Sequence, residues 1–385
     1  MDLSLFFDPL GEQLQEIISS HEGFGRSFYC YDHQVPDLEG IHLAIVGLME
    51  SRGADTQSSG LSEAADNIRK HLYTLQRGSA TYKVADLGNL RNGPTHDDTI
   101  HRVKEICSYL LSKEIVPIFI GSSHDMTLGQ FGGYDNQEEP VNLMVLDSIF
   151  DAESEGSASR SHLRSLVAGK TRQPFQITHL AHQAYLMAEE AMNFMSSLNF
   201  EAIRLGAIKE NVKDMEPLVR DADLVSFDLS SLNQQFAPGA VGVKPFGLTG
   251  EEACQLSWYA GLNNKLTSIG FYELDSDLDD ERGTTAFVVA TMIWYFIEGF
   301  YHRVGDLDFR SDNFLVYEVS MTGEPSSIRF FKSKRSEKWW MEVPLDNSSS
   351  VFLRNKMIPC NYSDYESALT GEVPSRWLSA FAHLN

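Results

Sequence analysis

One imidazole and three carboxylates stand at the ends of short apolar runs. His124 follows IVPIFIGSS, Asp147 and Asp151 follow VNLMVL, and Asp228 follows LVSF. Brought together, they would make a hard, oxygen-rich cation site, suited to Mn2+ or Mg2+ rather than to a metal that prefers thiolate. Three carboxylates clustered without a cation would repel one another, and some would take up protons. The alternative is that each aspartate caps the helical turn after its strand, a position where short polar side chains satisfy free backbone N–H groups. Glu273, after SIGFY, is a further ionisable residue at such an end.

The elements that must position these residues are strands alternating with helices. The runs IHLAIVGLME, YKVADLG, IVPIFIG, VNLMVLD, AIRLGAI, ADLVSFDL and LTSIGFYEL have the character of buried parallel strands. Helical patterns separate most of them: SEAADNIRKHLYTLQ, DTIHRVKEICSYLLSK, HQAYLMAEEAMNFMSSL, TGEEACQLSWYAGLNN and TTAFVVATMIWYFIEGFYH. Such alternation implies an α/β fold, a parallel sheet wrapped on both faces. Ligands of such sheets bind beyond the carboxyl ends of the strands, which is where the ionisable residues stand.

Three segments are expected. Residues 1–40 read as an N-terminal arm with a short amphipathic helix on Leu10, Leu14, Ile17 and Ile18. Residues 41–300 form the α/β domain, and residues 301–385 a β-rich extension packed on it, from the runs NFLVYEVS, SIRFFKS, KWWMEV and SSVFLRN.

Composition narrows the function. A formal net charge of −23 over 385 residues speaks against nucleic-acid binding, which rests on cations neutralising phosphates. The basic and aromatic stretch RFFKSKRSEKWW therefore reads as a solvated hairpin. Four scattered cysteines give neither a zinc knuckle nor a disulfide framework. The apolar stretch Ala286 to Ile297 is shorter than the roughly 20 residues of a membrane span and reads as a buried helix. The N-terminus carries acids where a signal peptide carries bases, so a cytoplasmic protein with no membrane partner is expected. His96-Asp97-Asp98 reads as a helix start, His162 as a surface histidine, and the pair His179 and His182, with no carboxylate nearby in sequence, carries no metal reading.

The order GSSH, DSIFD, SFDLSSLNQQFAPG, PFGLTGEE, YELDSD resembles the ureohydrolases, a family of arginases, agmatinases and formimidoylglutamases, with GSSH closest to the formimidoylglutamase version. The resemblance implies an arginase-like three-layer α/β/α sandwich with a mainly parallel sheet, a homo-oligomer, and hydrolysis of a guanidino or formimino C–N bond at two Mn2+ ions. It makes His124 and Asp151 ligands of the deeper ion, and Asp147 and Asp228 carboxylates shared by both ions and so central to catalysis. Glu273 would face the cationic head of the substrate, and His162 would stand on the family's proton-shuttle loop.

Two ligand positions depart from the family pattern, Ile149 in place of a histidine and Ser230 in place of an aspartate. Both belong to the outer ion; isoleucine has no donor atom and a neutral serine is a poor substitute for a carboxylate. At most one Mn2+ is therefore expected. A lone cation among three carboxylates is nearly neutralised and acidifies water less than a pair does. Two readings follow: a divergent hydrolase with a single-metal site, recruiting a group such as Glu153 or Asp125, or a non-catalytic protein binding a small cationic ligand or partner subunits.

Overall fold

The structure, a computed structural model, describes residues 1–55, 58–169, 172–198, 200–344 and 356–384. Its centre is a sheet of ten strands: β1 Phe7–Asp8, β2 Phe28–Cys30, β3 Leu43–Leu48, β4 Val84–Leu90, β5 Val116–Ile120, β6 Asn142–Leu146, β7 Gln176–His182, β8 Phe200–Arg204, β9 Leu224–Asp228 and β10 Ser268–Tyr272. Their spatial order is β1-β4-β3-β5-β10-β9-β6-β7-β8, with β2 also on β4; all pairs are parallel except β1 with β4. The main helices are α1 Glu12–Ser20, α2 Gly60–Leu72, α3 His96–Leu111, α4 Thr127–Gly132, α5 Ala158–Ala168, α6 Glu189–Ser196, α7 Leu205–Glu210, α8 Glu216–Asp221, α9 Gly250–Leu262 and α10 Thr284–Tyr301.

Three layers follow from the two-residue period of a strand, which sends neighbouring side chains to opposite faces. On one face Leu43, Ile45, Phe227, Ile269 and Phe271 pack against α2, α9 and α10. On the other, Ala44, Val46, Leu143 and Val145 pack against α3 and α5. Burial on both faces is why the strands read as continuous apolar runs. The apolar stretch 286–297 lies inside α10, whose Val289, Ile293 and Phe296 belong to the first core. α10 crosses α9 closely: a Cβ on Gly299 would stand 2.6 Å from the Trp258 carbonyl oxygen, and one on Gly261 2.9 Å from the Gly299 Cα.

Several elements differ from the sequence reading. The arm supplies α1, with Leu14 buried, and also β1 and β2 at the sheet edge. AIRLGAI divides between β8 and α7 at Leu205. HQAYLMAEEAMNFMSSL gives a 3-10 turn at Ala184–Leu186 and then α6, because β7 runs on through His182, across a register shift at Ala181, which has a φ of +75°.

Beyond α10 a separate antiparallel sheet follows, β11 Phe314–Ser320, β12 Ser327–Ser333, β13 Trp339–Glu342 and β14 Met357–Cys360, in the order β11-β12-β13-β14. The run SSVFLRN falls outside the described residues. Two helices follow, α11 Tyr362–Leu369 and α12 Ser375–Leu384, the latter with the sequence SRWLSAFAHL. Arg220 of α8 fastens this sheet to the α/β domain: it donates to the Trp339 carbonyl at 3.0 Å and the Cys360 carbonyl at 3.2 Å, and lies 4.3 Å from the Trp340 ring centroid.

Candidate metal centre

The four strands that carry the ionisable residues are neighbours in space, β5-β10-β9-β6, although they are far apart in sequence. Their carboxyl ends therefore meet. His124 is turned in by Gly121 and Ser122, with φ of +90° and +71°, and Glu273 leaves β10 with φ of +69°. Left-handed backbone at non-glycine residues is costly and persists where neighbouring contacts enforce it. Here the Glu273 N–H donates to the Ser122 carbonyl at 2.9 Å, and its carbonyl accepts from the Val241 N–H at 2.9 Å.

His124, Asp147, Asp151 and Asp228 converge, all buried, with one ligand atom from each within 4.8 Å of the others. His124 Nδ1 lies 2.9 Å from Asp151 Oδ2, 3.2 Å from Asp228 Oδ2 and 3.7 Å from Asp147 Oδ2. Its Nε2 hydrogen-bonds with Ser226 Oγ at 2.9 Å, the outer partner that orients a metal-binding imidazole. Burial would depress the His124 pKa, but the hydrogen bonds and charges of Asp151 and Asp228 hold it well above the usual histidine range. Burial, and then the charges of Asp151 and Asp228, push Asp147 well above the ordinary carboxylate range, and burial raises Asp151. This is the state expected of clustered carboxylates whose only counter-charge is one imidazolium.

The donor set suits one divalent cation. Asp147 Oδ2 is buried without a hydrogen-bond partner and faces the same centre as His124 Nδ1. The other oxygen of Asp147 is engaged. Asp147 Oδ1 accepts from Ser230 Oγ at 2.9 Å and from the Ile149 N–H at 3.2 Å, and Ser148 Oγ is 3.0 Å from Ser230 Oγ. Asp147 Oδ1 is thus held by the Ser230 hydroxyl and the Ile149 backbone, the two positions expected from the resemblance to depart from the ligand pattern. The capping alternative also holds in part: Asp228 Oδ1 accepts from the Ser230 N–H at 2.6 Å and caps the turn Leu229–Ser231. Asp147 and Asp228 each accept a backbone N–H on Oδ1 and turn Oδ2 to the centre, whereas Asp151 meets His124 through Oδ2.

A cavity of about 250 Å3 opens on this centre, with Ile149, Ser230 and Glu273 in its wall and Arg160 and Lys244 also lining it. Glu273 Oε1 accepts from the His124 N–H at 2.7 Å, while Oε2 is buried without a donor. Burial and the Asp228 charge raise the Glu273 pKa well above its ordinary range.

His162 corrects the surface expectation. It lies fully buried on α5, its ring centroid 4.4 Å from that of His124 and its Nδ1 3.6 Å from Asp151 Oδ2. Nδ1 is also 2.8 Å from the Ser159 carbonyl, and Nε2 has no partner. Burial, then the His124 charge, lowers its pKa well below the usual range. The signal was present in the helical spacing of Ser159, His162, Leu163 and Leu166, the buried face of α5.

The two groups expected as recruits are not brought in. Asp125 is buried 2.6 Å from His96 Nε2, and Glu153 lies 3.7 Å from Arg160; neither lines the cavity. His96 does open α3, beside the Thr95–Asp98 capping box, and the contact with Asp125 was not legible from its position. His179 is a packed strand residue whose Nε2 meets the Ile149 carbonyl at 2.8 Å. Ser226, Arg160 and Lys244 were not singled out by sequence, since serine inside a strand and single surface cations carry no spacing signal.

Residues 42–298 match the arginase family. A formimidoylglutamase of Halalkalibacterium halodurans is 23% identical over 302 residues, 71% of this chain and 91% of that protein. The solved formimidoylglutamase of Bacillus subtilis is similar with a TM-score of 0.64 at 20% identity, over 72% of this chain and 91% of that one. A Trypanosoma cruzi formiminoglutamase with Mn2+ gives a TM-score of 0.64 at 18% identity, over 70% of this chain and 100% of that one. The family match ends before β11, so the C-terminal sheet lies outside it. With most of its α/β domain matched and the solved relatives sharing its fold, the chain belongs to the arginase family.

Proposed function

We propose that this protein is a divergent, formimidoylglutamase-like hydrolase that holds a single Mn2+ and acts on the C–N bond of a small formimino or guanidino compound. The observation that carries this reading is a buried His/Asp quartet whose three aspartates line one cavity together with Glu273, with two carboxylate oxygens lacking donors, Asp147 Oδ2 and Glu273 Oε2. His124, Asp147, Asp151 and Asp228 would hold the cation, which when bound supplies Lewis-acid polarisation and a lowered pKa for water.

The chain's own residues do the rest. Glu273 Oε2 accepts an N–H of the amidinium or guanidinium head, a charge-assisted contact once Glu273 is ionised. The backbone N–H of His124 fixes the other oxygen, so the acceptor is aimed before the ligand arrives. His162, held neutral by burial and the charge beside it, offers an unpartnered Nε2 as a proton acceptor near the centre.

A second reading, a non-catalytic binder of a small cation, is favoured by the hydrogen bonds of Ser230 and Ile149 to Asp147 Oδ1, which fill the outer position with neutral groups. Metal analysis and turnover separate the two. About one equivalent of Mn2+ by elemental analysis, with release of formamide from formimidoylglutamate or urea from arginine, agmatine or guanidino acids, supports the hydrolase. One bound ion with no product from any of these leaves the binder. Absence of bound Mn2+ at saturating concentration sinks the hydrolase reading.

A further inference from the structure

A cavity of about 370 Å3 lies where the C-terminal sheet meets the α/β domain. It is at the opposite end of the central sheet from the metal centre: Asp221 and Lys265, in its wall, precede β9 and β10, whereas Asp228 and Glu273 end and follow those strands. Its size falls within the range of small-molecule sites. Its walls combine apolar side chains, Leu307, Phe309, Trp340 and Met357, with buried charge.

The charges are unequally served. Arg220 is bound to Glu216 and to two backbone carbonyls, Lys338 lies 3.1 Å from Glu216, and Lys265 lies 3.2 Å from both Asp221 and Asp223. Asp306 is 3% exposed; its Oδ1 accepts from Ser333 Oγ at 2.8 Å, and its Oδ2 has no hydrogen-bond partner. A buried carboxylate oxygen without a donor is costly, so the group that fills this cavity should donate to it.

We propose that this cavity is a binding site for a small primary ammonium ion with an apolar body, its charge on Asp306 Oδ2 and its body against Phe309, Trp340 and Leu307. Phe309 and Trp340 stand edge to face with centroids 5.4 Å apart, and Leu307 is 45% exposed beside them, an apolar surface that a ligand body would cover. An inorganic cation is a poorer match, because a divalent ion needs several oxygen ligands and one carboxylate atom is unserved. An anion is a poorer match too, because Arg220, Lys265 and Lys338 in the wall are already paired with Glu216, Asp221 and Asp223, while Asp306 Oδ2 lacks a donor. The inference goes beyond the hydrolase reading and does not rest on it.

Isothermal titration of the full chain with phenethylamine tests it, alongside 2-phenylethanol and 3-phenylpropionate. Single-site binding of the amine alone is expected, weakened at least about tenfold in Asp306→Asn, which loses the charge-assisted hydrogen bond. It should persist in Glu273→Gln, which removes the anionic acceptor of the metal centre. Loss in Glu273→Gln, unchanged affinity in Asp306→Asn, equal binding of the alcohol, or no binding of the amine would each overturn the proposal, the last two leaving only a solvent-filled gap. If Asp306→Asn melts abnormally without ligand, Phe309→Ala replaces it, with the same loss expected. The contrast between amine and alcohol needs no variant.

Discussion

Ile149 and Ser230 matter because of what they do to Asp147. A histidine and an aspartate at these positions would offer ligand atoms beside a carboxylate that now spends Oδ1 on their hydroxyl and N–H. Replacing both, Ile149→His with Ser230→Asp, should raise bound Mn2+ from about one to about two equivalents by elemental analysis. No rise would mean that the outer position is assigned wrongly. The same cluster sets a pH dependence. In metal-free protein, His124, Asp147, Asp151 and Glu273 all have folded pKa values raised above their ordinary ones. Such groups stabilise below their unfolded pKa and lose that contribution as pH rises through the folded value. His162 and His179 are depressed and act oppositely, but only where an unfolded histidine takes up a proton, below about pH 6.5. Between about pH 7 and 9 the raised groups dominate, so the melting temperature of chelated protein should fall. Added Mn2+ should restore more at the upper end than at the lower, because its ligands must be deprotonated. A flat or rising profile in chelated protein would show that the quartet is not buried as described.

At the scale of elements, adjacency of strands builds the site. β5, β6, β9 and β10 were each legible as apolar runs ending in an ionisable residue, because strands buried on both faces need apolar side chains throughout. Their spatial order was not legible, since it depends on which crossover lies on which face. The same limit applies to α5: its face was readable from spacing, but that the face covers His124 required the crossover from β6 to be in place. The α9–α10 crossing shows the opposite case, a contact permitted by two residues with no side chain. Gly299→Val would set a Cβ 2.6 Å from a carbonyl oxygen of α9 and should cost about 3 kcal/mol in urea unfolding. A loss below about 1 kcal/mol would mean that the helices separate without strain.

At the scale of the whole molecule, the question is how a sheet outside the family match stays attached. Arg220 answers it: nearly buried, it joins Glu216 on its own helix to carbonyls of β13 and β14. Arg220→Ala leaves the half-buried Glu216 with Lys338 alone and two backbone carbonyls without their buried donor, and should destabilise the protein by about 3 kcal/mol. Faster hydrogen exchange should be confined to β13 and β14 and leave β5 unchanged; uniform loss of protection would refute a local fastening role. By itself the sequence determined the layers and the residues with ligand chemistry, because both depend on local periodicity and on atoms a side chain has or lacks. It also showed that position 149 offers no side-chain donor atom, since an isoleucine cannot coordinate in any conformation. Tertiary structure decided which oxygen of Asp147 and of Asp228 takes a backbone N–H and which faces the centre, that His162 is inside, and that Asp125 and Glu153 do not line the cavity. Those outcomes turn on contacts between residues distant in the chain, and no local pattern encodes them.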